Sequence, residues 1–217
     1  FLFLETAEMP MHVGALHVFE LPADYDGDFL ADMRAHMATR VPIAPALRRR
    51  IAWMPLNLAA PAWVDAEPDL EAHIVGITLP EGSGPAELEA EVGLLHPQLL
   101  DRSRPLWKFF VFDGLEPGSE GQPRFGVYSQ LHHAAVDGQA AVALAQAILD
   151  LGPEPREITL RPPRERKGQL GLADMLRGAL ASELHQVVNL VKAIPSAVGA
   201  ISQVAAVAAF TAQARAE

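Results

Sequence analysis

Phe125-Gly126-Val127-Tyr128-Ser129-Gln130-Leu131-His132-His133-Ala134-Ala135-Val136-Asp137-Gly138 runs from strand formers into a pair of histidines and ends on an acid and a glycine. Behind it, Gln139 to Leu151 carries Ala140, Ala141, Leu144, Ala147, Ile148 and Leu151 at helical spacing. The histidines are therefore expected in a strand-to-helix loop, where a rigid scaffold can present reactive groups to a ligand. An imidazole, with an unperturbed pKa of about 6.5, can take a proton from a hydroxyl, amine or thiol and return it later. Asp137 is placed to cap the helix by accepting from first-turn amides. Gly138 is expected to permit a close turn that a side chain would obstruct. His-His pairs and Asp-Gly turns also occur without function, so the spacing alone leaves catalysis and plain structure both open. Zinc is disfavoured, because adjacent histidines are not a helical i, i+4 pair and the chain has neither cysteine nor His-Glu-x-x-His. No metal is expected.

Working outward, Trp107 to Phe112 and Phe125 to Leu131 form an expected hairpin across the Gly/Pro-rich stretch Gly114 to Pro123. Met11 to Glu20 reads as a strand with Val13, Ala15, His17 and Phe19 on one side and His12, Leu16 and Val18 on the other. Apolar residues on both sides predict a buried strand, with His12 and His17 as satisfied interior histidines or, alternatively, pocket residues. Phe29 to Val41 has the spacing of a core-packing helix started by Asp26 or Asp28. Pro85 to Leu100 has that of a surface helix with Leu88, Val92, Leu95 and Leu99 on one face. Arg48, Arg49 and Arg50 read as a solvated basic edge, with a phosphate clasp as the alternative. Trp53, Trp63 and His73 read as packing residues.

The chain has 217 residues, 50% hydrophobic and 20% charged, which is ample for a globular core. Its 17 basic and 27 acidic residues give a net charge of −10, which argues against nucleic acid as a general partner and against a purely electrostatic grip on anionic lipid. The absence of cysteine removes any thiol nucleophile and suits a reducing compartment. No basic leader with a cleavable apolar stretch is visible, and the expected location is cytoplasmic. Ser129 lies inside the expected strand without a Gly-x-Ser-x-Gly elbow and is read as structural.

His132-His133-x-x-x-Asp137-Gly138 resembles the signature of the chloramphenicol-acetyltransferase-like acyltransferases. Three further stretches narrow the likeness: Phe1-Leu2-Phe3-Leu4-Glu5, Pro10-Met11-His12-Val13-Gly14-Ala15-Leu16, and Leu100-Asp101-Arg102-Ser103-Arg104-Pro105-Leu106-Trp107. In order and spacing they are similar to the amino-terminal half of the bacterial wax ester synthase/diacylglycerol acyltransferases. The resemblance implies an α/β fold, one half of a two-layer sandwich with a mixed, mainly antiparallel sheet and added carboxy-terminal helices. It implies transfer of a fatty acyl group from acyl-CoA, a co-substrate, to a long-chain alcohol or diacylglycerol, without a bound cofactor. His133 would be the general base and His132 its positional neighbour. Asp137 and Gly138 would be structural, and Pro105, Leu106 and Trp107 a supporting block.

The same likeness implies a second, similar half carrying the oxyanion partner and much of the acyl pocket, and a carboxy-terminal half of the same protein as partner. Expected boundaries are 1–151 for the acyltransferase domain, 152–170 for a Pro/Arg-rich linker and 171–217 for a helical crossover. That last segment, with a break near Pro195 and an apolar run from Ala197 to Ala214, is expected to pack on the second half or lie peripherally at a membrane or lipid droplet, not to span. The rival readings are a related CoA- or carrier-dependent acyltransferase with another acceptor, and a noncatalytic lipid-binding or scaffolding module.

Overall fold

A computed structural model describes residues 1–53, 60–150, 152 and 155–158. The chain divides into two units, Phe1–Ala52 with Trp63–Pro162, and Trp53–Ala62 with Pro163–Glu217. The fold below is that of the first unit. The expected crossover helices lie outside the described residues, as does nearly all of the expected linker.

Four strands form a mixed sheet: β1 (His12–Glu20), β4 (Ile74–Ser83), β5 (Trp107–Leu115) and β6 (Arg124–His132), in the order β1-β6-β5-β4. β6 is antiparallel to both β1 and β5, and β4 runs parallel to β5. A small two-stranded sheet joins β2 (Arg49–Ala52) to β3 (Ala62–Asp65). The helices are α1 (Phe29–Arg40), the single turn α2 (Leu70–His73), α3 (Pro85–Leu95) and α4 (Gly138–Ile148). No helix among the described residues is long and apolar enough to cross a membrane.

Side chains alternate along a strand, so each face of the sheet gathers its own core. Trp107, Phe109, Val111 and Val127 pack with Met37 of α1 and Leu144 of α4. Phe110, Phe112 and Tyr128 point the other way, onto Leu88 and Leu95 of α3. With both faces covered, β5 is buried at Trp107 and from Phe109 to Phe112, with Lys108 partly exposed. The hairpin closes where Gly114 takes a φ of 80° and a Cβ would stand 2.3 Å from the Leu79 carbonyl oxygen, which only glycine permits.

Helix boundaries follow local chemistry. Of the two candidate starters, Asp28 caps α1, its carboxylate accepting from the Ala31 amide at 3.1 Å. α3 starts at Pro85, with Glu87 Oε2 accepting from the Gly84 amide. It stops at Leu95 rather than Leu100, because Pro97 has no N–H to continue the ladder.

Two expectations require correction. β1 is not a buried strand, because the sheet order puts it at an edge with β6 as its only partner among the described residues. Val18 is 52% exposed, and His17 is exposed too, so His17 is not an interior histidine. Apolar character on both sides reports composition, and the number of neighbours decides burial. Trp53 and Trp63 are also not core packing residues, each being 39% exposed. His73 is buried as expected, stacked on Trp107 with 4.3 Å between ring centroids and donating from Nδ1 to the Trp107 carbonyl.

Candidate active site

β6 ends on His132, which faces His12 across the β1 register, and His133 is the first residue of the loop. The two imidazoles leave the backbone into different surroundings. His132 is fully buried. Its amide donates to the Leu106 carbonyl at 3.0 Å, and its own carbonyl accepts from Ala135 at 2.9 Å. Ring atom Nδ1 accepts from the Ala134 amide at 2.9 Å. A nitrogen that accepts carries no proton, so this network assigns the neutral ring proton to Nε2. Nε2 sits 3.2 Å from Glu5 Oε1, close but not aligned as a full hydrogen bond. Burial holds the His132 pKa below its ordinary value; the Glu5 charge opposes this, and Arg102 and His12 reinforce it.

Glu5 is itself completely enclosed. Oε2 accepts from Arg102 Nε at 3.2 Å and Nη2 at 2.8 Å, while Oε1 accepts from the Met11 amide at 3.0 Å. Burial pushes this carboxyl upward, but the guanidinium, the amide and His132 together outweigh burial and leave it below the usual carboxylate range. His12, also buried, donates from Nε2 to the His96 carbonyl, and its pKa is lowered chiefly by burial.

His133 is half-buried. Its amide donates to the Met11 carbonyl at 2.8 Å, and its ring stacks on Phe1 with centroids 4.8 Å apart and planes within 9°. Among the described residues, neither ring nitrogen of His133 makes a hydrogen bond. Asp137 is exposed and acts as the N-cap of α4, Oδ1 accepting from Ala140 at 2.8 Å. The expectation for Gly138 is corrected: no described atom lies within 4 Å of where its Cβ would stand, and its φ is not left-handed.

Pro105, Leu106 and Trp107 are buried beneath the loop. Leu106 supplies the carbonyl that holds His132, and Trp107 Nε1 donates to the Leu47 carbonyl at 3.0 Å. Ser129 Oγ is spent on the Ala15 carbonyl at 3.2 Å. Arg49 pairs with Asp65 at 3.7 Å, and Arg48 reaches the Pro42 carbonyl. An apolar depression of about 350 Å³ opens beside the loop, its walls including Ala134, Ala135, Ala140 and Leu144. His133 is not among its lining residues. Among the described residues no cluster of three or more histidines and carboxylates is arranged for a metal ion.

Three stretches far apart in sequence thus meet at one point: Glu5 with Met11 and His12, Arg102 with Leu106, and the histidine pair. Sequence reasoning did not single out Glu5 or Arg102. The available signal was an acid closing the apolar run Phe1-Leu2-Phe3-Leu4, since a charge in such company needs a partner.

A probable diacylglycerol O-acyltransferase of Mycobacterium tuberculosis is 34% identical over 194 residues, 88% of this chain and 42% of the relative. A second M. tuberculosis protein, also named as a diacylglycerol O-acyltransferase, is 38% identical over 159 residues, 73% of this chain and 30% of that protein. The wax ester synthase/diacylglycerol acyltransferase of Marinobacter aquaeolei is structurally similar, with a TM-score of 0.59 and 29% identity over 88% of this chain and 44% of its own. The chain spans less than half the length of these relatives. Residues 1–217 match the family model of the wax ester synthase/diacylglycerol acyltransferase catalytic domain, and the chain belongs to that family.

Proposed function

We propose that this chain is the base-carrying part of an O-acyltransferase that moves a fatty acyl group from acyl-CoA to a long-chain alcohol or diacylglycerol, giving wax ester or triacylglycerol. His133 is the general base. The observation that carries this is the difference within the pair: His132 is enclosed, its Nδ1 accepting from the Ala134 amide and its Nε2 lying 3.2 Å from Glu5, while the ring nitrogens of His133 make no hydrogen bond among the described residues.

In the reaction, His133 takes the hydroxyl proton as the acceptor oxygen attacks the thioester carbonyl carbon. The tetrahedral species then expels the CoA thiolate, which receives the proton, so the C–S bond is exchanged for a C–O bond with no acyl-enzyme. The remaining components belong to the carboxy-terminal half of the same protein, in keeping with the length of the relatives. Asp137 sets the start of α4, and Pro105, Leu106 and Trp107 hold the loop from below. Cytoplasmic residence with peripheral contact at a membrane or lipid droplet fits hydrophobic substrates.

Replacing His133 with alanine in the full-length protein tests this reading. Thioester consumption is expected to fall about 10²- to 10⁴-fold, with the melting midpoint almost unchanged because the ring is only half-buried. Undiminished turnover in a folded variant removes His133 as the base, and absence of turnover in the parent full-length protein favours the noncatalytic lipid-binding reading. A panel of alcohols, diacylglycerols and carrier-bound donors separates the named acceptors from those of related enzymes.

A further inference from the structure

We propose that Glu5 and Arg102 are positioning residues: the guanidinium-paired carboxylate keeps His132 as the neutral Nε2–H tautomer, leaving Nδ1 to accept from Ala134 and fix the loop that carries His133. This rests on His133 being the base.

The bond from Ala134 to His132 Nδ1 exists only while that nitrogen has a lone pair. An imidazolium has donors at both nitrogens and would set Nδ1–H against the Ala134 N–H. An unpaired buried carboxylate at 3.2 Å favours that imidazolium. Arg102 prevents it by supplying two N–H donors to Oε2, on the opposite side of the carboxylate from the histidine's contact. The groups facing His132 are Glu5 from the opening segment, His12 from β1 and Arg102 from the segment before β5, with His133 next along its own loop. Glu5 is the only acid among them. Oε1 also receives the Met11 amide, and the Met11 carbonyl receives that of His133, so the carboxylate supports the base loop by a second route.

The test uses the full-length protein with ¹⁵N-labelled histidine. Imidazole spectra should show His132 protonated at Nε2 alone at neutral pH. In Arg102→Gln its titration should move to higher pH, and the acid limb of kcat should move with it, recovering as the pH is raised. Arg102→Lys should restore most of the parent profile. Glu5→Ala should lower kcat about 10- to 100-fold with little change in KM, the size expected when a reacting group is misplaced, and Glu5→Gln should regain most of that loss. Melting curves identify variants that fail to fold, and for those the spectrum of the parent still decides. An Nδ1–H or doubly protonated His132 in the parent overturns the proposal, as does an Arg102→Gln profile that superimposes on the parent's. Retained turnover in His133→Ala instead removes the base assignment, while the His132 spectrum remains an independent answer.

Discussion

The Ala134 amide donates to Nδ1 of His132 at 2.9 Å, so the first imidazole of the pair closes the loop that the second one leaves. This bond lies within three consecutive residues, yet the residue making it is placed from outside: Leu106 accepts from its backbone amide, and Glu5, held by Arg102, faces its ring.

Removing that ring should cost stability as well as turnover. His132→Ala leaves the Ala134 amide without its acceptor in a buried site and opens a void, a loss of about 2–4 kcal/mol. Urea unfolding measures it. His133→Ala should cost far less, and a ranking with the two reversed would contradict the roles given to them.

Acid should weaken the fold before carboxylates are protonated. His12, His73 and His132 all have pKa values lowered from 6.5, chiefly by burial. Below about pH 6.5 the unfolded chain therefore binds protons that the folded chain does not. Stability is flat above that pH and falls as the pH drops toward the folded values, by up to about 1.4 kcal/mol per pH unit for each histidine. Urea midpoints at pH 7.5 and 5.5 should differ accordingly, and equal midpoints would refute the effect.

Two glycines should respond oppositely to alanine. Gly114→Ala forces a side chain into a left-handed backbone against the Leu79 carbonyl and should cost about 1–3 kcal/mol or more. Gly138→Ala, in open space at the start of α4, should range from neutral to about 1 kcal/mol stabilising. Thermal melts of both check this. A destabilised Gly138→Ala would show that the glycine has a neighbour outside the described residues.

Arg40 is fully buried in α1, donating to Asp150 Oδ2 at 2.5 Å and to the Arg156 carbonyl at 3.2 Å. Asp150→Ala should cost about 3–5 kcal/mol, because it strands a buried guanidinium. The double change Arg40→Met with Asp150→Leu should recover much of this. A double-mutant cycle read by denaturant unfolding gives the coupling.

The strands, the helices and the loop position of the histidine pair were legible because side-chain periodicity and caps are local: Asp28 and Asp137 cap as their positions imply, and the β5–β6 hairpin forms around its Gly/Pro-rich connection. Edge position was not legible. Val13, Leu16 and Val18 look like interior strand residues, but among the described residues β1 has a partner on one side only. Gly138 was expected at a close turn that a side chain would obstruct, and among the described residues the space around it is open.

By itself the sequence determined that an α/β chain without cysteine carries two adjacent imidazoles between a strand and a helix, because such patterns need only a few neighbouring residues. Tertiary structure alone decided what surrounds each imidazole. The partners that separate them, Glu5 and Arg102, lie 127 and 30 residues before His132 and reach it only through folding.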